Sequence, residues 1–216
     1  MIPLRFDVGR RHALNVLCIG AHCDDIEIGC GATILRLASE RPLDVTWVVL
    51  CSTPARRREA ERGAALFLRG AVRRTLAIQE FRDGFLPAQW MAVKQYMETL
   101  KQRVPPDLIF THHRDDRHQD HRVAAELTWN TFRSHLILEY EIPKYDGELP
   151  QPNTFVAVGR AIAEKKARYI AKAYPSQMSK TWFSAETLLG LMRLRGVESA
   201  APGGYAEGFV GRKIVL

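Results

Sequence analysis

One imidazole and two adjacent carboxylates, all competent to hold a metal ion, crowd the stretch Ala21-His22-Cys23-Asp24-Asp25-Ile26-Glu27, directly after the apolar run Val16-Leu17-Cys18-Ile19-Gly20. Charge gathered at the end of a buried strand is costly without a cation to answer it. A second cluster, His118-Gln119-Asp120-His121, follows much further along and has Asp115 and Asp116 just before it. Two neutral imidazoles and one carboxylate form the ligand set of an open catalytic zinc site, with a position left for water. His22, Asp25 and His121 are the favoured ligands, although spacing alone would let either His118 or His121 bind. Asp24 then falls in place as general base, and His118 as general acid with Asp120 holding its tautomer. The chemistry predicted is metal-dependent hydrolysis. The same donors suit ferrous iron, so the pattern does not choose between Zn2+ and Fe2+.

Each cluster also has a purely structural reading. Asp24 or Asp25 would cap a following helix, His22 would be an ordinary buried histidine, and Asp120 would cap a second helix beside solvent-facing imidazoles. Convergence decides between the readings, because both clusters follow predicted strands and two neighbouring strand ends would bring them into one pocket. Gly20, Gly29 and Gly31 lack the order of a dinucleotide loop, and two aspartates stand where a pyrophosphate would approach, so a nucleotide-cofactor site is excluded. Cys23 has no activating partner outside the motif and reads as a small packed residue.

The elements that must position these residues follow from periodicity. Asn15–Gly20 and Val45–Cys51 are short apolar runs rich in β-branched residues, as expected of strands covered on both faces. Gly31–Glu40 between them carries Ile34, Leu35, Leu37 and Ala38 at helical spacing and is closed by Arg41-Pro42. The alternation continues with a helix over 55–68, a strand over 75–78, a helix over 88–103 ended by Pro105-Pro106, and a strand over 108–111. A helix over 120–132, strands over 136–140 and 154–158, and helices over 161–174 and 185–194 complete the pattern. Serial units of this kind predict a Rossmann-like α/β fold: one open, mostly parallel sheet with helices on both faces and ligands at the carboxyl ends of its strands. No linker or repeat divides the chain, so residues 1–216 are read as a single domain.

The 216 residues are 46% hydrophobic and 25% charged, the balance of a folded globular chain. No apolar run approaches the roughly 20 residues of a membrane-spanning helix. Met1–Asp7 lacks the apolar core of a secretory signal, which makes the cytoplasm the expected location. Cys18, Cys23, Cys30 and Cys51 show no paired spacing and are expected to be free thiols. A net charge of +7 fits an anionic partner. The arginines are dispersed, with the densest runs at 56–58 and 73–74, and lack the aromatic interleaving of a nucleic-acid surface, so nucleic acid is the weaker reading. Most of these arginines read as a solvated basic face, and a small anionic substrate is one partner that fits the surplus.

The two motifs resemble those of the LmbE-like (PIG-L) deacetylases, the N-acetylglucosaminylphosphatidylinositol deacetylases and their relatives. The family's Ala-His-Pro-Asp-Asp-x-Glu stands here as residues 21–27, and its His-x-Asp-His as residues 118–121. Similarity continues through Arg58-Glu59-Ala60-Glu61, Pro152-Asn153-Thr154-Phe155-Val156, Lys166, Tyr174-Pro175-Ser176-Gln177 and Tyr205-Ala206-Glu207-Gly208-Phe209. The resemblance implies zinc on His22, Asp25 and His121, Asp24 as base, and His118 as acid backed by Asp120. It further implies Arg58, or its neighbour Arg57, as a substrate contact, and it is compatible with a homo-oligomer. Two departures stand out. Cys23 replaces the usual proline, and Cys51-Ser52-Thr53-Pro54 is shorter than usual and lacks the common acidic and glycine residues.

The expected activity is removal of an N-acetyl group from an amino-sugar-containing small molecule, releasing acetate. The alternatives are a metal-dependent amidase acting on another N-acyl or non-sugar amide, and a catalytically silent metal- or ligand-binding module.

Overall fold

The computed structural model describes residues 12–215. The segment Met1–Asp7, read above for a targeting signal, and the terminal residues of the expected domain lie outside the described residues. In chain order the elements are β1 (Leu14–Gly20), α1 (Asp25–Glu40), β2 (Leu43–Cys51), α2 (Pro54–Phe67), β3 (Arg73–Phe81), α3 (Trp90–Arg103), β4 (Leu108–His112), α4 (Gln119–Thr131), β5 (Leu136–Tyr140), β6 (Thr154–Val158), α5 (Arg160–Ala173), α6 (Ala185–Glu198) and β7 (Tyr205–Gly211).

All seven strands join one sheet in the order β3-β2-β1-β4-β5-β7-β6. The first five pair in parallel, and β7 runs antiparallel between β5 and β6. Alternate residues of β1 serve two cores, as a doubly covered strand requires. Leu14, Val16 and Cys18 meet Ile26 and Ile34 of α1, Phe67 of α2 and Ile170 of α5. Leu17 and Ile19 face Val93 and Met97 of α3 and Val123 and Leu127 of α4. Helices therefore cover both faces, and among the described residues no helix is long and apolar enough to cross a membrane.

Two elements differ from expectation. Helix α1 starts at Asp25 rather than Gly31, so the first acidic motif is wound into a helix. The glycines that hide this start in the sequence are close-packing residues: a Cβ on Gly29 would sit 2.2 Å from the Tyr140 ring, and one on Gly31 would sit 2.5 Å from Phe67. Strand β7 was not expected, because its central Glu207 breaks the apolar pattern. That buried carboxylate accepts the Ala32 and Thr33 amides at 2.9 and 2.6 Å and the Lys166 ammonium at 2.6 Å. It thereby fastens β7 to α1 and α5.

Candidate metal centre and its cleft

Direct pairing of β1 with β4 brings the two motifs together, since each follows the carboxyl end of one of these strands. His22 stands in the turn after β1, Asp24 is the N-cap of α1, and Asp25 is its first residue. His118 is the N-cap of α4, with Asp120 and His121 in the first turn. All three carboxylates thus sit at helix N-termini, where the backbone dipole favours negative charge.

Donor atoms of three side chains face a common point. His22 Nδ1 lies 3.1 Å from His121 Nε2 and 3.4 Å from Asp25 Oδ2, and His121 Nε2 lies 3.5 Å from Asp25 Oδ1. Ligand atoms about 2.0–2.1 Å from one tetrahedral ion are about 3.3–3.4 Å from each other, so this trio matches such an ion. The opposite nitrogen of each imidazole is held by carboxylate. His22 Nε2 meets Asp83 Oδ1 at 3.1 Å and Asp120 Oδ2 at 3.2 Å, while His121 Nδ1 meets Asp116 Oδ2 at 3.0 Å. Lys144 completes the second relay, its ammonium 2.9 Å from Asp116 Oδ2. Outer carboxylates of this kind fix the tautomer that leaves the inner nitrogen's lone pair free for a metal.

The electrostatics agree. Burial would raise the Asp25 carboxyl, but the imidazoles of His121, His112 and His22 hold it well below the usual carboxylate range. Burial, with His112 nearby, pushes the His121 imidazole down to about 3, so it presents a neutral ring. Burial opposes charge on His22 too, yet Asp25 and the bonds to Asp120, Asp25 and Asp83 raise it well above its ordinary value.

Three further trios overlap this one: His22, His118 and His121; His22, Cys51 and Asp120; and Asp25, His112 and His121. His112, which sequence reading missed, is fully buried at the end of β4. Its ring stacks on His121 with centroids 3.9 Å apart. His112 Nε2 lies 3.0 Å from both the Ala21 amide nitrogen and Asp25 Oδ2, and its Nδ1 is buried without a hydrogen-bond partner among the described residues. It supports the cage from behind, whereas His22, Asp25, His118 and His121 line an open cleft of about 280 Å3. A histidine at the carboxyl end of a strand adjoining β1 was the available signal.

Asp24 also lines the cleft and is only 6% exposed. Its Oδ2 accepts from Arg56 at 3.0 Å, and burial outweighs that cation to raise the carboxyl above its ordinary value. Arg56 is clamped in turn: it donates to Glu59 Oε2 at 2.5 Å and stands over the Tyr174 ring at 5.3 Å. Glu59 accepts the Ser176 amide at 3.0 Å and the Ser176 hydroxyl at 2.7 Å. Beneath Tyr174, its hydroxyl donates to the buried Glu27, whose carboxyl burial pushes up to about 8.

The structure places two expected residues differently. Arg56, not Arg58, lines the cleft; Arg58 is exposed on α2, and Arg57 reaches the Ile78 carbonyl and Glu80. One helical residue turns the side chain by about 100°, so a shift of two along α2 separates a cleft position from solvent. The Asp120 carboxylate turns to His22 and accepts the Gly84 and Leu86 amides at 2.6 and 3.0 Å. His118 is oriented instead by the Asp120 backbone amide, which donates to His118 Nδ1 at 3.2 Å. Cys23 and Cys51 line the cleft as free thiols that burial pushes up to about 12, unsuited to act as nucleophiles.

A parallel α/β sheet with a histidine–aspartate cage at two adjoining strand ends defines a protein built for ligand or metal chemistry at those ends. The chain belongs to the GlcNAc-PI de-N-acetylase (PIG-L) family, whose model matches residues 17–132. It is similar to the uncharacterised deacetylase YaiS of Escherichia coli K12, 32% identical over 141 residues that cover 60% of this chain and 74% of that protein. The fold matches N,N'-diacetylchitobiose deacetylase of Pyrococcus horikoshii with a TM-score of 0.71 and 22% identity, over 96% of this chain and 87% of that one. It also matches GalB, the 4-carboxy-2-hydroxymuconate hydratase of Pseudomonas putida KT2440, with a TM-score of 0.77 and 18% identity, over 94% and 98% of the two chains. One fold thus carries both amide hydrolysis and hydration, so the reaction must be argued from the site.

Proposed function

We propose that this chain is a metal-dependent hydrolase that removes the N-acetyl group from an amino-sugar-containing small molecule and releases acetate. The observation that carries the reading is the cage of His22, Asp25 and His121, whose donor atoms are 3.1–3.5 Å apart beside a cleft that Asp24 and His118 also line. Zinc is the proposed ion, with ferrous iron the alternative for the same donors. When bound, such an ion supplies Lewis acidity toward an amide carbonyl and toward water. Membership of a deacetylase family and the N-acetylated sugar named for the Pyrococcus enzyme support the choice of bond and substrate class.

The chain's own groups divide the proton work. Asp24 is the base: its raised carboxyl takes a proton from the attacking water as the oxygen bonds to the acetyl carbon. When the carbon–nitrogen bond breaks, that proton passes to the departing nitrogen, leaving free amine and acetate. Arg56 holds the Asp24 carboxylate in place throughout. His118 has Nδ1 engaged as an acceptor, so its neutral ring carries the proton on Nε2 and donates a hydrogen bond to the reacting amide. An imidazolium at His118 would press an Nδ1 proton against the Asp120 amide, which favours the hydrogen-bonding role over that of a proton donor.

The test is acetate release from N-acetylamino sugars by zinc-loaded protein, by chelator-treated protein and by Asp24→Asn. Release that needs metal and drops about 10²–10⁴-fold in Asp24→Asn is expected for loss of a general base. Release that survives chelation, or an Asp24→Asn variant of unchanged rate, refutes the reading.

A further inference from the structure

Three cations line the cleft, and two are already neutralised. Arg56 is paired with Asp24 and Glu59, and Lys144 with Asp116 and Glu148. Lys180, the third, has no carboxylate partner among the described residues; its ammonium stands 5.4 Å from the centroid of the Trp182 ring. Trp182 also lines the cleft, half-buried, with its ring edge-on to Phe183 at 5.5 Å and to Tyr145 at 6.5 Å. Tyr145 is 72% exposed, so aromatic surface extends from the cleft to solvent.

The segment that carries Lys180 and Trp182 is anchored on both sides. Buried Tyr174 precedes it and buried Phe183 follows it, their rings 6.4 Å apart. Ser176 is bonded twice to Glu59, and successive backbone bonds link Gln177 to Tyr174, Lys180 to Gln177, and Phe183 to Lys180. A held aromatic surface gives a sugar ring a flat apolar partner at little entropic cost, and an uncommitted ammonium beside it gives an anion a charge-assisted bond.

We propose that Lys180 and Trp182 form a recognition subsite at the mouth of the cleft that selects an amino sugar bearing an anionic substituent, phosphate or carboxylate. The sugar lies against the Trp182 indole and the anion pairs with the Lys180 ammonium. The proposal rests on the deacetylase reading for its choice of an amino sugar, and the +7 charge of the chain draws the same class of ligand toward it.

The experiment is calorimetric titration of zinc-loaded protein with deacetylated sugars, which cannot be turned over: glucosamine, its 1-phosphate, its 6-phosphate and glucosaminuronic acid. At least one anionic sugar is expected to bind about tenfold more tightly than glucosamine at low salt, the low end for a hydrogen bond to a charged group. Lys180→Gln, a change at an exposed position, is expected to remove that advantage and leave glucosamine unchanged. Trp182→Leu is expected to weaken all four sugars. Which sugar gains identifies the anion as phosphate or carboxylate. No anionic preference in the unmodified protein, or a preference that persists in Lys180→Gln, overturns the subsite. Acetate release from the N-acetyl forms is read separately: its absence alongside intact, Lys180-dependent discrimination refutes the deacetylase reading and leaves the subsite standing.

Discussion

His112 offers the sharpest test of how the cage is held. Its Nε2 stands 3.0 Å from Asp25 Oδ2 and 3.0 Å from the Ala21 amide, deep behind the cleft. When bare, that nitrogen accepts from Ala21; when protonated, it donates to Asp25. Phe in its place preserves the ring stacked on His121 but removes both options. Asp25 Oδ2 then keeps the His22 amide at 2.6 Å as its backbone donor, and the Ala21 amide loses the acceptor it faces. A hydrogen bond to a charged group contributes about 1.5–3 kcal/mol, which corresponds to roughly 10–150-fold in affinity. Loss of such an outer partner typically lowers metal affinity about 10–100-fold. We therefore predict that His112→Phe binds zinc 10–100-fold more weakly, on the order of that range, in competition with a chromophoric chelator. Without metal, its unfolding free energy should fall by about 1–3 kcal/mol for the stranded buried group. His112→Gln, whose amide nitrogen can occupy the place of Nε2, should recover most of the metal affinity. Unchanged zinc affinity in His112→Phe refutes the idea that His112 orients Asp25.

Other outcomes follow from the same geometry. Arg58→Ala should leave stability within about 0.5 kcal/mol and activity intact, whereas Arg56→Ala should cost about 1.5–3 kcal/mol and slow acetate release; equal effects in paired unfolding and rate measurements would contradict the placement of Arg56 in the cleft. Glu207→Ala strands the buried Lys166 ammonium and the Ala32 and Thr33 amides, so denaturant unfolding should show a loss of about 3–5 kcal/mol, and a loss under about 1 kcal/mol would refute the fastening role of Glu207. His118→Gln, which keeps a donor toward the substrate, should retain more activity than His118→Ala; equally deep losses in both would argue for a proton-donating imidazolium.

Much of the architecture is legible in the sequence where apolar periodicity is undisturbed. The run Val45–Cys51 reads as a strand because covered strands need apolar residues on both faces, and β2 spans it. Legibility fails where tertiary contacts override local pattern. The start of α1 is concealed by Gly29 and Gly31, which are small because Tyr140 and Phe67 press on them. Strand β7 is concealed by Glu207, a charge whose partners come from α1 and α5. In the site, the motifs announce the donors but not their supports. Asp83, Asp116 and His112 reach the cage from three different loops and strand ends, and no spacing along the chain relates them. The two-residue offset between Arg58 and Arg56 is a question of helical phase, which short motif similarity does not resolve.

Glu59 joins two segments far apart in the chain, one oxygen taken by the Ser176 amide and the other shared by Arg56 and the Ser176 hydroxyl. For protein engineering this makes residues 56–59 and 174–183 a single cassette. Grafting a relative's mouth onto this scaffold by exchanging the later segment alone would import a rim without its latch, and Asp24 would lose alignment through Arg56. Exchanging both pieces together carries the latch along, so libraries aimed at new substrates should vary the rim at 178–182 while holding Arg56, Glu59 and Ser176 constant.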